Sequence, residues 1–249
     1  MNQPEGLTAP EPLDLVGCAL FLDLDGTLAA FEPRPQDVGP VAARSRLLRD
    51  LGQRLEGRLA VISGRTIADV DRILDGAVTA VAGVHGLERR WPDGRIERPQ
   101  PAPGLDEARA AFTALKTDIP GLLIEDKRLS LAIHFRAEPT ANAAVLATAQ
   151  SVASRTGLVI QGGEKVVELR GLGARKGDAL NAFMHSSPFA GARPLFVGDD
   201  LTDEDGFSAA HALGGEGVLV GPERRTAARR RLATVADVTA WLSAATAGE

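Results

Sequence analysis

Phe21-Leu-Asp-Leu-Asp-Gly-Thr-Leu28 is the stretch from which the rest of the chain is read. The apolar run Cys18-Ala-Leu-Phe-Leu22 leads into it, with the length of a strand buried on both faces of a parallel sheet. The run stops at two aspartates. Asp23 and Asp25 are separated by one residue, so on an extended chain both side chains leave the same face at the strand's carboxyl end. Open α/β sheets bind ligands at that edge. Two carboxylates this close repel unless a cation or a shared proton lies between them, which points to a divalent metal or to split acid and base roles. Gly26 permits a tight turn and Thr27 adds a hydroxyl beside it. The plain alternative is a strand closed by an Asp-Gly turn. An EF-hand loop is excluded, since its glycine stands three places after the second aspartate rather than one.

Composition narrows the class. A chain of 249 residues can bury a large core and suits one domain with an insertion or two ordinary domains. Alternating apolar runs and amphipathic stretches favour α/β. The net charge of −5 argues against a general nucleic-acid binder. Cys18 is the only cysteine, so no internal disulfide can form and a reducing, cytoplasmic location is expected. The first 12 residues hold three prolines and no basic residue, and Asp23 breaks the early apolar run, so neither a signal peptide nor a membrane span is drawn. Residues 1–15 read as a loosely attached lead-in.

Downstream, a helix is predicted from about Val41 to Leu55, and the strand Leu59-Ala-Val-Ile62 ends in Ser63-Gly-Arg65. A hydroxyl and backbone N–H groups before a helix start can hold a phosphate, although Ser63 alone is as often a cap. A third strand over 79–84 runs into His85-Gly-Leu-Glu88, which places His85 at the ligand edge of the sheet.

The pattern changes after Pro99, Pro101, Pro103 and Gly104, which read as a boundary. A helix over about 105–116 and a hairpin built from 122–124 and 129–136 come next. A second helix over about 140–155 and a second hairpin, 158–161 to 166–170, complete an αββαββ unit. Leu129, Leu131, Ile133 and Phe135 alternate with Ser130, Ala132, His134 and Arg136, giving one apolar and one polar face. The polar face is either solvated or turned to a ligand. The expected domains are a core of residues 1–100 and 172–249 and an inserted cap of 101–171.

Core grammar resumes at Ala174-Arg-Lys-Gly-Asp178. A lysine at a helix N-terminus opposes the dipole unless an anion is near, so Lys176 is a candidate for neutralising phosphate and Asp23. The strand Pro194-Leu-Phe-Val197 then opens onto Gly198-Asp-Asp-Leu-Thr-Asp-Glu-Asp-Gly206, with five acids in seven residues. Thr202 and Asp205 resemble a capping box, with Asp203, Glu204 and Asp205 in the first helical turn. That leaves Asp199 and Asp200, which with Asp23 and Asp25 make an oxygen-rich site suited to Mg²⁺. The arginines between Arg224 and Arg231 read as a solvated face, and a helix from about Val235 to Leu242 follows.

The D-x-D-G-T-L motif resembles the haloacid dehalogenase-type phosphohydrolases. Together with Val81-Ala-Gly-Val-His-Gly-Leu-Glu88, Ser63-Gly-Arg65 and Gly198-Asp-Asp-Leu-Thr-Asp-Glu204, it resembles their trehalose-6-phosphate phosphatase branch from about Cys18 to Leu242. The resemblance implies a Rossmann-like parallel-sheet core with an α/β cap, and a Mg²⁺-dependent phosphatase whose partner is a small-molecule sugar phosphate. It makes Asp23 the nucleophile and a metal ligand, and Asp25 the general acid then base, with its main-chain carbonyl on the metal. Asp199 becomes the third ligand, and Asp200 and Asp203 fall in the outer shell. Ser63 and Lys176 hold the phosphoryl group, and Thr27, Arg65 and His85 line the same edge toward the substrate. Glu88, Arg136, Lys165 and Glu168 read the sugar. Strict alternation puts Lys165 and Glu168 on opposite strand faces, so Lys165 must sit in the turn or a bulge must intervene. Other sugar phosphates, such as sucrose phosphate or mannosyl-phosphoglycerate, and a non-catalytic sugar-phosphate-binding regulatory role are the competing readings.

Overall fold

Cys18–Leu22 forms strand β1, and all five residues are buried, as a strand flanked by neighbours and covered on both faces requires. In the computed structural model, which describes residues 6–163, 165–173 and 175–247, the chain divides into two units. One comprises Met1–Glu97 and Ala174–Glu249, the other Arg98–Gly173. After β1 the first unit continues through α1 (Ala42–Arg54), β2 (Leu59–Ile62), α2 (Ile67–Leu74), β3 (Ala80–Gly83), β4 (Glu88–Arg90) and β5 (Ile96–Glu97). The second unit holds α3 (Gly104–Asp118), β6 (Leu123–Asp126), β7 (Ser130–His134), α4 (Asn142–Thr156), β8 (Val159–Gly163) and β9 (Val166–Arg170). The chain returns to the first unit with α5 (Lys176–Met184), β10 (Arg193–Gly198), α6 (Glu204–Ala212), β11 (Glu216–Val220), β12 (Arg230–Leu232) and α7 (Val235–Ala247).

The sheet of the first unit runs β12-β11-β10-β1-β2-β3-β4-β5. It is parallel from β12 to β3, and β4 and β5 are antiparallel. Residue alternation in β1 fixes which helices lie on which side. Leu20 and Leu22 join Val61, Val81 and Val197 in a core completed by Leu48 and Leu51 of α1, Val70 and Ile73 of α2, and Val238 and Leu242 of α7. Ala19 and Phe21 join Ile62 and Phe196 in a second core with Phe183 of α5 and Phe207 of α6. A one-residue slip of β1 would exchange the two sets. With each large apolar side chain contributing roughly 1.5–3 kcal/mol, the register is strongly fixed. The aspartates after Leu22 are therefore held in one place.

Two expectations for this unit are corrected. The lead-in is tied down where it is described: Arg231 N–H donates to Thr8 O (2.9 Å), Leu7 N–H to Glu223 Oε1 (2.7 Å), and Trp241 Nε1 to Glu11 O (2.8 Å). Residues 1–5 lie outside the described residues. The arginine-rich stretch is not a solvated face throughout, because Arg230–Leu232 forms β12 at the edge of the sheet. The short strands β4 and β5 leave no sequence signal, since two or three residues carry no readable period. Among the described residues no helix is long and apolar enough to cross a membrane.

The second unit is an antiparallel sheet in the order β6-β7-β9-β8. Leu131, Ile133, Val167 and Leu169 pack with Phe112 of α3 and Val145 and Val152 of α4. Ser130, Glu168 and Arg170 on the alternate positions are nonetheless buried. Polar groups there are paired, Lys127 Nζ with Glu168 Oε2 at 3.1 Å and His134 Nε2 with Glu125 Oε2 at 2.9 Å. These are not the side chains of a freely solvated face.

Candidate active site

The N–H of Asp23 still pairs with β10, donating to Val197 O at 2.9 Å, so Asp23 leaves the sheet at its carboxyl edge. The next residues turn at once: Leu24 O accepts from the N–H groups of Leu28 (2.9 Å) and Ala29 (2.8 Å), and Gly26 N–H donates to Ala29 O (2.7 Å). Gly26 has φ +77°, and a Cβ there would stand 2.1 Å from Asp199 Oδ2. It is needed both for the turn and for the approach of Asp199. Gly198 serves likewise for Asp203, whose Cγ would lie 2.2 Å from an added Cβ.

The carboxylate oxygens of Asp23, Asp199 and Asp203 come within 4.8 Å of one another. Lys176, the first residue of α5 and 2 % exposed, sets its Nζ 3.0 Å from Asp23 Oδ1 and 2.7 Å from Asp203 Oδ1. Burial alone would lower the Lys176 ammonium, but Asp203 and Asp23 hold it well above the usual lysine range. Burial pushes the Asp23 carboxyl up, with Asp203 and Asp199 adding to it and Lys176 opposing. Burial and Asp203 push Asp199 up to about 7. Three carboxylates face one ammonium, so with all three ionised the cluster carries excess negative charge. Asp199 Oδ1 and Thr27 Oγ1 are buried with no hydrogen-bond partner. An all-oxygen donor set of this charge, with an unpaired carboxylate oxygen, fits a hard divalent cation.

Asp203, expected from sequence to lie outside the ligand set, has a carboxylate oxygen within 4.8 Å of those of Asp23 and Asp199. A short 3₁₀ turn, Leu201–Asp203, precedes α6 and takes its cap from Asp200, whose N–H donates to Asp203 Oδ2 at 2.9 Å. The capping box is thus Asp200 with Asp203, not Thr202 with Asp205, and Asp203 is turned inward with no exposure. The Asp25 carboxylate stands apart from the cluster. Arg65 Nε and Nη2 each donate to one of its oxygens at 2.7 Å, and Arg65 Nη1 donates to Pro35 O at 2.7 Å. Arg65, read from sequence as a substrate ligand, thus meets both oxygens of the Asp25 carboxylate.

Ser63 follows β2, buried, and its Oγ accepts the Arg65 N–H at 3.2 Å. His85 N–H donates to Ser63 O (2.9 Å) and Val84 N–H to Arg65 O (2.8 Å), tying the two strand ends together. The tie requires Val84 at φ 48° and His85 at φ 57°. A β-branched residue in the left-handed region is strained, and such strain gathers at functional sites. Glu88 Oε1 accepts the N–H of Ile67 at 2.7 Å, which makes it an acidic cap on α2.

Arg136, Lys165 and Glu168 lie in the second unit. Lys165 sits in the β8–β9 turn with φ 57°, which reconciles it with the alternation of β9. Phe135 N–H donates to Lys165 O (3.0 Å), and Arg136 and Lys165 are both exposed. Glu168 is buried against Lys127, a partner that sequence reading missed because it lies 41 residues away. Arg224 was also missed. It donates to the main-chain oxygens of Asp199 (3.2 Å) and Asp200 (2.9 Å).

The family model described as trehalose-phosphatase matches residues 21–235. A probable trehalose-phosphate phosphatase of Sinorhizobium fredii is 37% identical over 211 residues, 84% of this chain and 80% of that one. The trehalose-6-phosphate phosphatase of Escherichia coli is 39% identical over 228 residues, 90% of this chain and 85% of that one. In fold, the C-terminal domain of the C. albicans trehalose-6-phosphate phosphatase superposes with a TM-score of 0.84 at 20% identity, covering 98% of this chain and 99% of that one. With the family match spanning the edge that carries Asp23, Ser63, Lys176 and Asp199, the chain belongs to the trehalose-phosphatase family.

Proposed function

We propose that the protein hydrolyses trehalose 6-phosphate to trehalose and inorganic phosphate, with Asp23 as nucleophile and Mg²⁺ as cofactor. The observation that carries this reading is the Asp23 carboxylate at the sheet edge, 3.0 Å from Lys176 Nζ and clustered with Asp199 and Asp203. The names of the relatives supply the substrate. Asp23, Asp199 and the main-chain carbonyl of Asp25 would hold Mg²⁺, with Asp203 beside them. When bound, the ion neutralises charge on the phosphoryl oxygens.

Phosphate monoesters hydrolyse extremely slowly unaided, and a covalent step on Asp23 divides the reaction into two easier displacements. An Asp23 oxygen attacks phosphorus while the bond to the sugar O6 breaks. Asp25 gives its proton to the departing oxygen, then takes one from the water that cleaves the aspartyl phosphate, releasing phosphate and restoring Asp23. Lys176, Ser63 and Thr27 hold the phosphoryl group, and Arg65 sets the position from which Asp25 acts. His85 and Glu88 in the first unit, and Arg136, Lys165 and Glu168 in the second, recognise the sugar. In this reading the second unit is a substrate-reading cap and the first the catalytic core. The single cysteine, buried Cys18, supports a reducing cytoplasmic setting.

The test is phosphate release from trehalose 6-phosphate, sucrose 6-phosphate, glucose 6-phosphate and an aryl phosphate, with and without chelator. Trehalose 6-phosphate should give the highest kcat/KM, chelator should abolish turnover, and added Mg²⁺ should restore it. Glu168→Ala should reduce kcat/KM for the disaccharide far more than for the aryl phosphate. Equal rates on trehalose 6-phosphate and glucose 6-phosphate would reject the substrate assignment.

A further inference from the structure

Arg224 stands on the loop between β11 and β12, among arginines whose sequence context suggests only solvation. Its side chain is three-quarters buried, with 24% exposure, and its guanidinium faces the acidic loop that follows β10. Nη2 donates to two successive main-chain oxygens, Asp199 O at 3.2 Å and Asp200 O at 2.9 Å. Nη1 pairs with Glu204 Oε1, at the start of α6. Glu204 Oε2 in turn accepts the Ala227 N–H at 2.6 Å, closing a ring from the acidic loop through Arg224 and Glu204 back to the β11–β12 loop.

We infer that Arg224, braced by Glu204, is a positioning residue that sets the Asp199 carboxylate for metal binding. Gripping two consecutive carbonyls fixes the orientation of the peptide between them, and with it the direction in which Asp199 leaves the chain. The guanidinium takes main-chain oxygens and not the carboxylate, so it holds the ligand in place without neutralising it. Asp199 Oδ1 remains without a hydrogen-bond partner, open to a cation. The task suits arginine and not lysine, because only a planar fork reaches two carbonyls and a carboxylate at once. Partners that orient ligand residues in this way typically change metal affinity 10–100-fold on removal.

The inference rests on the metal reading above, and calorimetric titration with Mg²⁺ separates the two. Wild type, Arg224→Ala, Arg224→Lys and Glu204→Gln are titrated in the full chain, and thermal unfolding is recorded in chelator. Arg224→Ala should weaken Mg²⁺ binding about 10-fold to 100-fold, with Arg224→Lys rescuing little and Glu204→Gln shifting affinity in the same direction by less. Adding Glu204→Ala to Arg224→Ala should weaken binding no further, since both act through one brace. In turnover, the Mg²⁺ concentration for half-activation should rise while kcat at saturating Mg²⁺ is largely recovered. A purely structural role would lower the melting temperature and depress kcat at every Mg²⁺ concentration. Wild-type protein that binds no Mg²⁺ would overturn the metal reading and the brace with it. Tight wild-type binding with Arg224→Ala within twofold of it overturns the brace alone. Should Arg224→Ala fail to fold, Arg224→Lys within twofold of wild type overturns the brace instead.

Discussion

Replacing Lys176 by methionine tests the charge balance of the site directly. The lysine is 2 % exposed and bridges Asp23 at 3.0 Å and Asp203 at 2.7 Å, so the variant leaves two buried carboxylates without their cation. Breaking a buried pair from one side costs about 3–5 kcal/mol, which for a chain of this size corresponds to a melting-temperature loss of roughly 6–20 °C. The pH dependence has a definite sign. The folded-state pKa of Lys176 is raised above its unfolded value of 10.5, so its contribution is fully present below that value and lost only as pH rises through the folded pKa. Asp199 behaves oppositely in the neutral range. Its pKa is raised from 3.8 to about 7, so the folded state binds the proton more tightly and the metal-free protein loses stability as pH rises between those values. Lys176→Met should therefore be most damaged near pH 8 in chelator, partly recover near pH 5, and recover at pH 8 when Mg²⁺ supplies the missing positive charge. The assay is urea unfolding at both pH values, with and without Mg²⁺. A loss below about 1 kcal/mol at pH 8, the size of an exposed ion pair, would refute the argument. So would a loss unchanged by both acid and Mg²⁺.

Asp23→Asn should abolish turnover with the fold intact, since the amide is nearly isosteric but a poor nucleophile; single-turnover phosphate release together with circular dichroism checks both halves. Gly26→Ala should strain a φ of +77° and drive a methyl toward Asp199 Oδ2, weakening Mg²⁺ binding more than 10-fold by the usual effect of displacing a ligand's support, as read by calorimetry. Because Asp199 must ionise to bind a cation, Mg²⁺ affinity should fall about tenfold per pH unit below about 7 if one proton is displaced. A flat dissociation constant between pH 5 and 7 would contradict that.

The sequence by itself determined the elements whose signals are local. The apolar run before Asp23 and the one-residue spacing to Asp25 identify a buried strand and the ligand edge of its sheet. The same reading recovered the αββαββ order of the second unit, because amphipathic periods of fifteen-residue helices and five-residue strands are written within each segment. Register and close approach were decided only by tertiary structure. Asp203 enters the carboxylate cluster because Gly198 lacks a side chain and a 3₁₀ turn precedes α6, whereas helix propensity alone predicts a solvent-facing first turn. Arg65 reaches Asp25 across 40 residues and Arg224 reaches the Asp199 and Asp200 carbonyls across 25 and 24. No local pattern marks those partners. The tethering of the lead-in at Thr8 likewise depends on β12 presenting an unpaired sheet edge at Arg230. The physical division is between interactions encoded by neighbours in sequence, which periodicity reveals, and pairings of buried polar groups, which exist only once distant segments exclude water together.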